Sequence, residues 1–145
     1  MADLSRPVRF LLAEDDEDHA DLVARAMRDN RISNHLVHVT DGEQALAYLR
    51  KQAPYTDAVR PDIVLLDLKM PKVDGHQVLE ALKNDDDLKS IPTVILTTSA
   101  AEADRARAYA AHANSYLVKP LDFSRFHEMV NQLRLYWAVW NTPPA

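Results

Sequence analysis

The sequence predicts an α/β fold: one parallel β-sheet covered by helices on both faces. Three observations carry this. Five apolar runs of four to six residues recur along the chain, long enough for strands and too short for helices. Between them lie segments whose apolar residues fall at helical spacing. The two kinds of segment alternate strictly, and such alternation requires parallel strands joined by right-handed crossovers.

Val8 to Ala13 (VRFLLA) reads as the first buried strand. Asp18 to Asn30 follows as a helix, with Leu22, Val23, Ala26 and Met27 on one face. Leu36 to Val39 is a shorter, more polar strand, expected at a sheet edge. Asp41 has the character of an N-cap for a helix carrying Ala45, Leu46 and Leu49. Gln52 to Pro61 is a loop, longer than most connections of its type. Ile63 to Leu66 (IVLL) is apolar throughout, as a strand buried on both faces must be. Gly75 to Asn84 is a helix with Val78, Leu79 and Leu82 inward; Thr93 to Leu96 is the fourth strand. Ala100 to Ala111 is an alanine-rich helix, and Ser115 to Val118 the fifth strand. Asp122 opens a last helix reaching about Trp140. Five strands in this alternation suit a flavodoxin-like, doubly wound (βα)5 sheet of order 2-1-3-4-5. Ligands of such sheets bind at the carboxyl ends of the strands, where the winding reverses between strands one and three.

The totals narrow the class. The chain has 145 residues, enough for one domain, here expected to span 1–145 with its core at about 8–140 and no output domain. Net charge is −5, so there is no basic footprint for nucleic acid and no attraction to anionic membranes. There is no cysteine, hence no disulfide framework and no thiolate metal site. The start lacks the apolar core of a signal peptide, and no run has the length of a membrane span. A cytoplasmic protein is expected. With only two glycines, Gly42 and Gly75, a phosphate-binding P-loop and a dinucleotide fingerprint are both excluded.

The strand ends carry the chemistry. Strand three runs into Asp67, and strand one into Glu14 and Asp15. In the predicted order these ends are neighbours, so three carboxylates converge on one crevice. Their repulsion must be relieved by protonation or by a cation, and Mg²⁺ prefers such hard oxygen ligands. Strand four ends in Thr97, Thr98 and Ser99, and strand five in Lys119, a point charge suited to phosphate. Asp16, Glu17 and Asp18 read as a solvated helix start, and Asp85 to Asp87 as a helix close without a site. Thr98 and Ser99 alone would be ordinary turn residues. The six histidines show no metal-binding spacing and read as surface or helix-end residues.

The set Glu14–Asp15, Asp67, Thr97 and Lys119–Pro120, with MPxxDG after Asp67, resembles the receiver domain of bacterial two-component response regulators. The resemblance covers about Arg9 to Leu135. The loop QAPYTDAVRPDIVLLDL, the runs IPTVILTTS and ANSYLVKP, and a last helix ending in YW look like the small stand-alone regulators paired with bacterial phytochromes. This resemblance implies that Asp67 accepts a phosphoryl group from a histidine kinase, a phytochrome in particular. It implies Mg²⁺ held by Asp15, Asp67 and the Lys69 carbonyl, with Glu14 helping through water. Lys119 would pair with Asp67 and then with the phosphoryl oxygens, Thr97 would donate to one of them, and Tyr116 would turn inward behind Thr97. The surface of helix four, strand five and helix five would change as the output. The Lys119–Pro120 bond is expected to be cis. The chain would not be an enzyme beyond self-catalysed phosphotransfer and dephosphorylation. Thr98 departs from the usual small apolar residue, and Lys69 and Ser99 would flank the acyl phosphate.

Three other readings compete. A dehalogenase-type phosphohydrolase needs a second Asp where Lys69 stands. A flavin carrier would meet repulsion from the acidic strand-one loop. A degenerate receiver would bind partners without phosphorylation. Finally, Phe126, Val130, Leu133, Trp137 and Trp140 form one helical stripe, Met129, Leu135, Tyr136 and Val139 widen it beyond what docking on the sheet needs, and both tryptophans lie in the final turns. A homodimer through Tyr136, Trp137 and Trp140 is expected.

Overall fold

The computed structural model describes residues 7–28 and 34–119, together with 124–125, 127–129 and 131–132. The elements run β1 (Val8–Ala13), α1 (Glu17–Arg28), β2 (Asn34–Val39), α2 (Gly42–Leu49), β3 (Ile63–Leu66), α3 (Gly75–Lys83), β4 (Thr93–Thr97), α4 (Glu102–Ala110) and β5 (Ser115–Val118). The strands form one sheet of order β2-β1-β3-β4-β5, parallel throughout. This is the flavodoxin-like arrangement that the alternation implies, with β2 at an edge, where its exposed His35 and His38 meet solvent. The described residues from 124 onward are helical, and Met129 among them packs on the core shared with α1. The expected cis bond at Pro120 and the aromatic residues Tyr136, Trp137 and Trp140 lie outside the described residues.

Period-two alternation splits the sheet into two cores. Leu11, Ala13, Val64, Leu66 and Ile95 face α2, α3 and α4 with Ala45, Leu49, Val78, Leu79, Leu82 and Ala108. Phe10, Leu12, Ile63, Leu65, Val94 and Leu96 face α1 with Ala20, Val23, Ala26 and Met27. β3 contributes to both, which is why every one of its residues is apolar and buried.

Several boundaries differ from the sequence expectation for local reasons. α1 begins at Glu17, because the Asp16 carboxylate accepts from the Asp18 and His19 amides at 2.9 and 3.2 Å. Asp41 caps α2 as expected, through the Gln44 amide at 2.8 Å. Asp74 and Gln77 close a full capping box at α3, a signal the sequence carried and the helical stripe alone did not use. α4 starts at Glu102 rather than Ala100, and its N-cap Ala101 supplies no side-chain bond. Asp85 accepts from the Asp87 and Leu88 amides at 2.8 and 3.2 Å, a turn without further role. The long loop after α2 is anchored rather than loose. Tyr48 and Tyr55 meet edge to face at 5.5 Å, and Arg60 donates to the Asp87 carbonyl at 2.7 Å.

The two glycines sit where the β3–α3 loop passes other backbone. A β-carbon at Gly75 would overlap the Asp67 carbonyl, and one at Gly42 would overlap the Val73 carbonyl. Both obstacles are main chain, which cannot swing aside as a side chain does. Gly75→Ala therefore destabilises the fold by about 1–3 kcal/mol through overpacking. A urea midpoint equal to that of the wild type would show that the loop can yield.

Candidate functional site at the carboxyl edge of the sheet

The site begins with hydrogen bonds that run one residue past the strands. The Glu14 amide donates to the Val39 carbonyl at 3.0 Å, the Asp67 amide to Ala13 at 3.0 Å, and the Lys119 amide to Thr97 at 2.7 Å. Each functional residue is thus held by a neighbouring strand before its side chain makes any contact. The register sets Ala13 opposite Leu66, so Glu14 and Asp67 emerge side by side.

Three ionisable groups meet there out of water: Glu14 is 1 %, Asp67 7 % and Lys119 7 % exposed. The Lys119 ammonium donates to Asp67 Oδ2 at 3.1 Å and also contacts Glu14 Oε1. The Thr97 hydroxyl is fully buried, accepts from the Ser99 amide at 3.4 Å, and lies near enough to Asp67 to favour its charged form. Burial is the first cause that pushes Glu14 up, to about 8, with the adjoining Asp67 adding to it against the pull of Lys119. Burial would raise Asp67 too, but the hydrogen bond with Glu14, the charge of Lys119 and the Thr97 hydroxyl outweigh it and hold Asp67 below its ordinary value. The Lys119 ammonium favours an ionised Glu14 and its burial a protonated one. We place the proton on Glu14, because it is the more deeply buried of the two acids and burial is the largest influence on it.

Asp15 is exposed at the rim, and carboxylate oxygens of Glu14, Asp15 and Asp67 lie within 4.8 Å of one another. Three hard oxygen donors at that spacing, one open to solvent, fit a divalent cation that keeps part of its water. Lys69 is exposed, and its amide reaches Asp67 Oδ1 at 3.3 Å. Thr98 points to solvent, whereas Ser99 is buried. Tyr116 is buried with its hydroxyl donating to the Ser99 carbonyl at 2.9 Å.

Two histidines stand at helix ends, as the sequence reading allows, but make contacts it did not foresee. His19, half-buried on the first turn of α1, places Nδ1 3.0 Å from the Lys119 ammonium and 3.7 Å from Glu14. Its signal was the Asp16 cap three residues earlier, which turns that face of the helix to the site. His76 is buried rather than superficial, at 6 % exposure. It stands three residues before Leu79, on the inward stripe. A third, His38, remains exposed but lies with Nε2 2.7 Å from the Glu14 carbonyl.

A five-stranded parallel sheet with acidic ends on β1 and β3, a hydroxyl on β4 and a lysine on β5 defines a receiver. The response regulator receiver domain family matches residues 10–131, and the chain belongs to that family. Within it the chain is close to stand-alone cyanobacterial phytochrome response regulators. It is 38 % identical to the response regulator Rcp1 of Synechocystis over all of this chain and 99 % of that protein. The phosphorylated cyanobacterial phytochrome response regulator RcpA superposes with a TM-score of 0.90 at 36 % identity, over 97 % of this chain and all of the other. The Mn²⁺-bound form of Rcp1 superposes with a TM-score of 0.88, over 96 % of this chain and all of the other. The chain is also 43 % identical to the probable methanogenesis regulatory protein FilR2 of Methanothrix harundinacea, over 96 % of this chain and 89 % of that protein. Receivers of this family are generally phosphoacceptors rather than enzymes, and they bind divalent metal. Among the described residues no helix is long and apolar enough to cross a membrane.

The Glu14 carboxyl ties the stability of the fold to pH. Its value in the folded chain lies above its ordinary 4.5, so the folded state binds the extra proton. Its contribution to stability is complete below 4.5 and is lost as pH rises through about 8. In metal-free buffer, thermal unfolding of wild type relative to Glu14→Gln shows the wild type losing ground across that interval. Parallel curves for the two proteins would refute the placement of the proton.

Proposed function

We propose that this chain takes a phosphoryl group on Asp67 from the phosphohistidine of a histidine kinase, of phytochrome type, in the cytoplasm. The observation that carries the reading is the meeting of Asp67 with the Lys119 ammonium and the Thr97 hydroxyl beside the Glu14–Asp15 pair. The likeness to Rcp1 and to the phytochrome regulator RcpA supports the kinase type.

In the proposed transfer an Asp67 oxygen forms a bond to phosphorus as the phosphorus–nitrogen bond of the phosphohistidine breaks. The electron pair of that bond stays on the imidazole nitrogen, which leaves. Asp67 is suited to attack because its neighbours keep it ionised in a buried place. Lys119 then follows the charge to the phosphoryl oxygens, and Thr97 donates to one of them. Mg²⁺, held by Asp15, Asp67 and the Lys69 carbonyl with Glu14 at its water shell, would offset the charge that develops on the transferred oxygens. The added group brings roughly −1.5 to −2 of charge beside α4 and β5, whose surface is the proposed output. The Ser99 main chain joins Thr97 to Tyr116, its amide donating to the Thr97 hydroxyl and its carbonyl accepting from the Tyr116 hydroxyl.

Incubation with a small phosphodonor and Mg²⁺ adds one phosphate to the wild type and none to Asp67→Asn. Labelling of that variant to the same extent would sink the assignment, and a wild type that no donor labels would favour a degenerate receiver. Asp15→Asn weakens metal binding and slows phosphorylation together, whereas Lys119→Ala spares metal binding and uncouples phosphate from the surface change. Unaltered metal affinity in Asp15→Asn would remove Asp15 from the ligand set.

The proposal extends to a homodimer through Tyr136, Trp137 and Trp140, supported by the apolar surface that Met129, Leu135, Tyr136 and Val139 add to the docking stripe and by both tryptophans in the final turns. Sedimentation of the intact chain gives a dimer, and of a chain ending at Arg134 a monomer. A monomer in both cases, with and without phosphate, would refute it.

A further inference from the structure

A second path of hydrogen bonds meets the site from the side of α3 and α4. His76 is buried at the start of α3, and its Nε2 lies 3.0 Å from Asp104 Oδ1 on the first turn of α4. A carboxylate only accepts, so the ring proton sits on Nε2 and points along that line. Nδ1 is buried without a partner, so the Asp104 bond is what orients the ring. The other Asp104 oxygen accepts from Ser99 Oγ at 2.6 Å, and both bonds hold the carboxyl below its ordinary value. Ser99 Oγ in turn accepts from the Ala101 amide at 3.3 Å. These bonds tie down the start of α4, whose N-cap Ala101 has no side-chain bond of its own.

Ser99 then reaches both switch residues through its main chain. Its amide donates to Thr97 Oγ1 at 3.4 Å, and its carbonyl accepts from the Tyr116 hydroxyl at 2.9 Å. The Arg105 guanidinium, one residue after Asp104, lies 5.4 Å from the Tyr116 ring centroid. The position of a buried tyrosine hydroxyl therefore depends on where one serine carbonyl is held.

We propose that His76 and Asp104 are positioning residues: they hold Ser99 where its carbonyl keeps the Tyr116 ring turned inward. Neither touches Asp67. They act through Ser99, so their loss releases the β4–α4 loop and lets the ring swing out. Whatever favours the inward ring also favours phosphoryl transfer, by a factor no larger than the bias it supplies. That second consequence rests on the reading of Asp67 as phosphoacceptor; the first does not.

The test uses the full chain with carbon-13-labelled tyrosine, the Tyr116 ring signal being assigned by its loss in Tyr116→Phe. His76→Leu keeps apolar volume and removes the donor. His76→Gln keeps a donor at the reach of Nε2. Asp104→Ala removes the acceptor from a helix surface that is one-third exposed, where folding is tolerant of change. The Tyr116 signal moves toward that of a solvent-exposed ring in His76→Leu and Asp104→Ala and stays in place in His76→Gln. Labelling by acetyl phosphate slows roughly fivefold in the first two, the factor that one net hydrogen bond carries. An unmoved Tyr116 signal in Asp104→Ala would overturn the proposal, whether or not His76→Leu folds. Equal displacement in His76→Leu and His76→Gln would overturn it as well, since the effect would then follow packing and not the bond. A wild type that takes no phosphate defeats the Asp67 reading instead, and leaves the ring signal to judge His76 and Asp104.

Discussion

Two buried carboxylates share one buried ammonium at the end of the sheet, and the rest of the molecule is arranged around that constraint. Removing a charge from water costs several kcal/mol even after relaxation. That is the size of one or two fully buried leucines, each worth about 1.5–3 kcal/mol. The cluster of Glu14, Asp67 and Lys119 is tolerable because the ammonium contacts both acids, Thr97 favours the charged form of Asp67, and burial pushes Glu14 toward its protonated form. Each relief is conditional. A cation or a phosphoryl group changes the charge count, and the hydrogen bonds must then be redistributed. A site that is stable for any one charge state only through specific partners is suited to switching.

Rigidity in the frame makes that conditional balance usable. β3 is buried on both faces and lies between β1 and β4, so Asp67 cannot move along its strand without breaking two ladders. The backbone bonds beyond Ala13, Leu66 and Val118 extend the same constraint to the functional residues themselves. Gly75 lets α3 start directly against the Asp67 carbonyl, and the Asp74–Gln77 capping box fixes where that start lies. The charges are thus held by main chain, while the parts that can respond are side chains and the loop after β4.

That loop is tied by few bonds, and they converge on Ser99. Its hydroxyl faces Asp104 and the start of α4, and its main chain faces Thr97 and Tyr116. Thr97 meets the Ser99 amide on one side of the loop, and His76 reaches the Ser99 hydroxyl from the other through Asp104. One short loop therefore connects the buried charge to an exposed helix.

The strands, their order and the residues at their ends were legible in the sequence. Four apolar residues before Asp67 admit only a buried strand, alternation admits only parallel pairing, Thr97 closes its strand, and Glu14 and Lys119 follow theirs by simple adjacency. Such features depend on neighbours in the chain, and the chain displays them. His19 and His76 were not legible in the same way. A histidine near a helix start reads as a surface residue until the helix is docked, and docking decides which face meets Lys119 or Asp104. Nor could the sequence tell that Asp104, twenty-eight residues beyond His76, would reach it across two helices. Local pattern determined the fold and the residues that carry charge. Only the tertiary structure decided which side chains share a proton, a lysine or a serine, because those partnerships arise between segments that the chain itself keeps far apart.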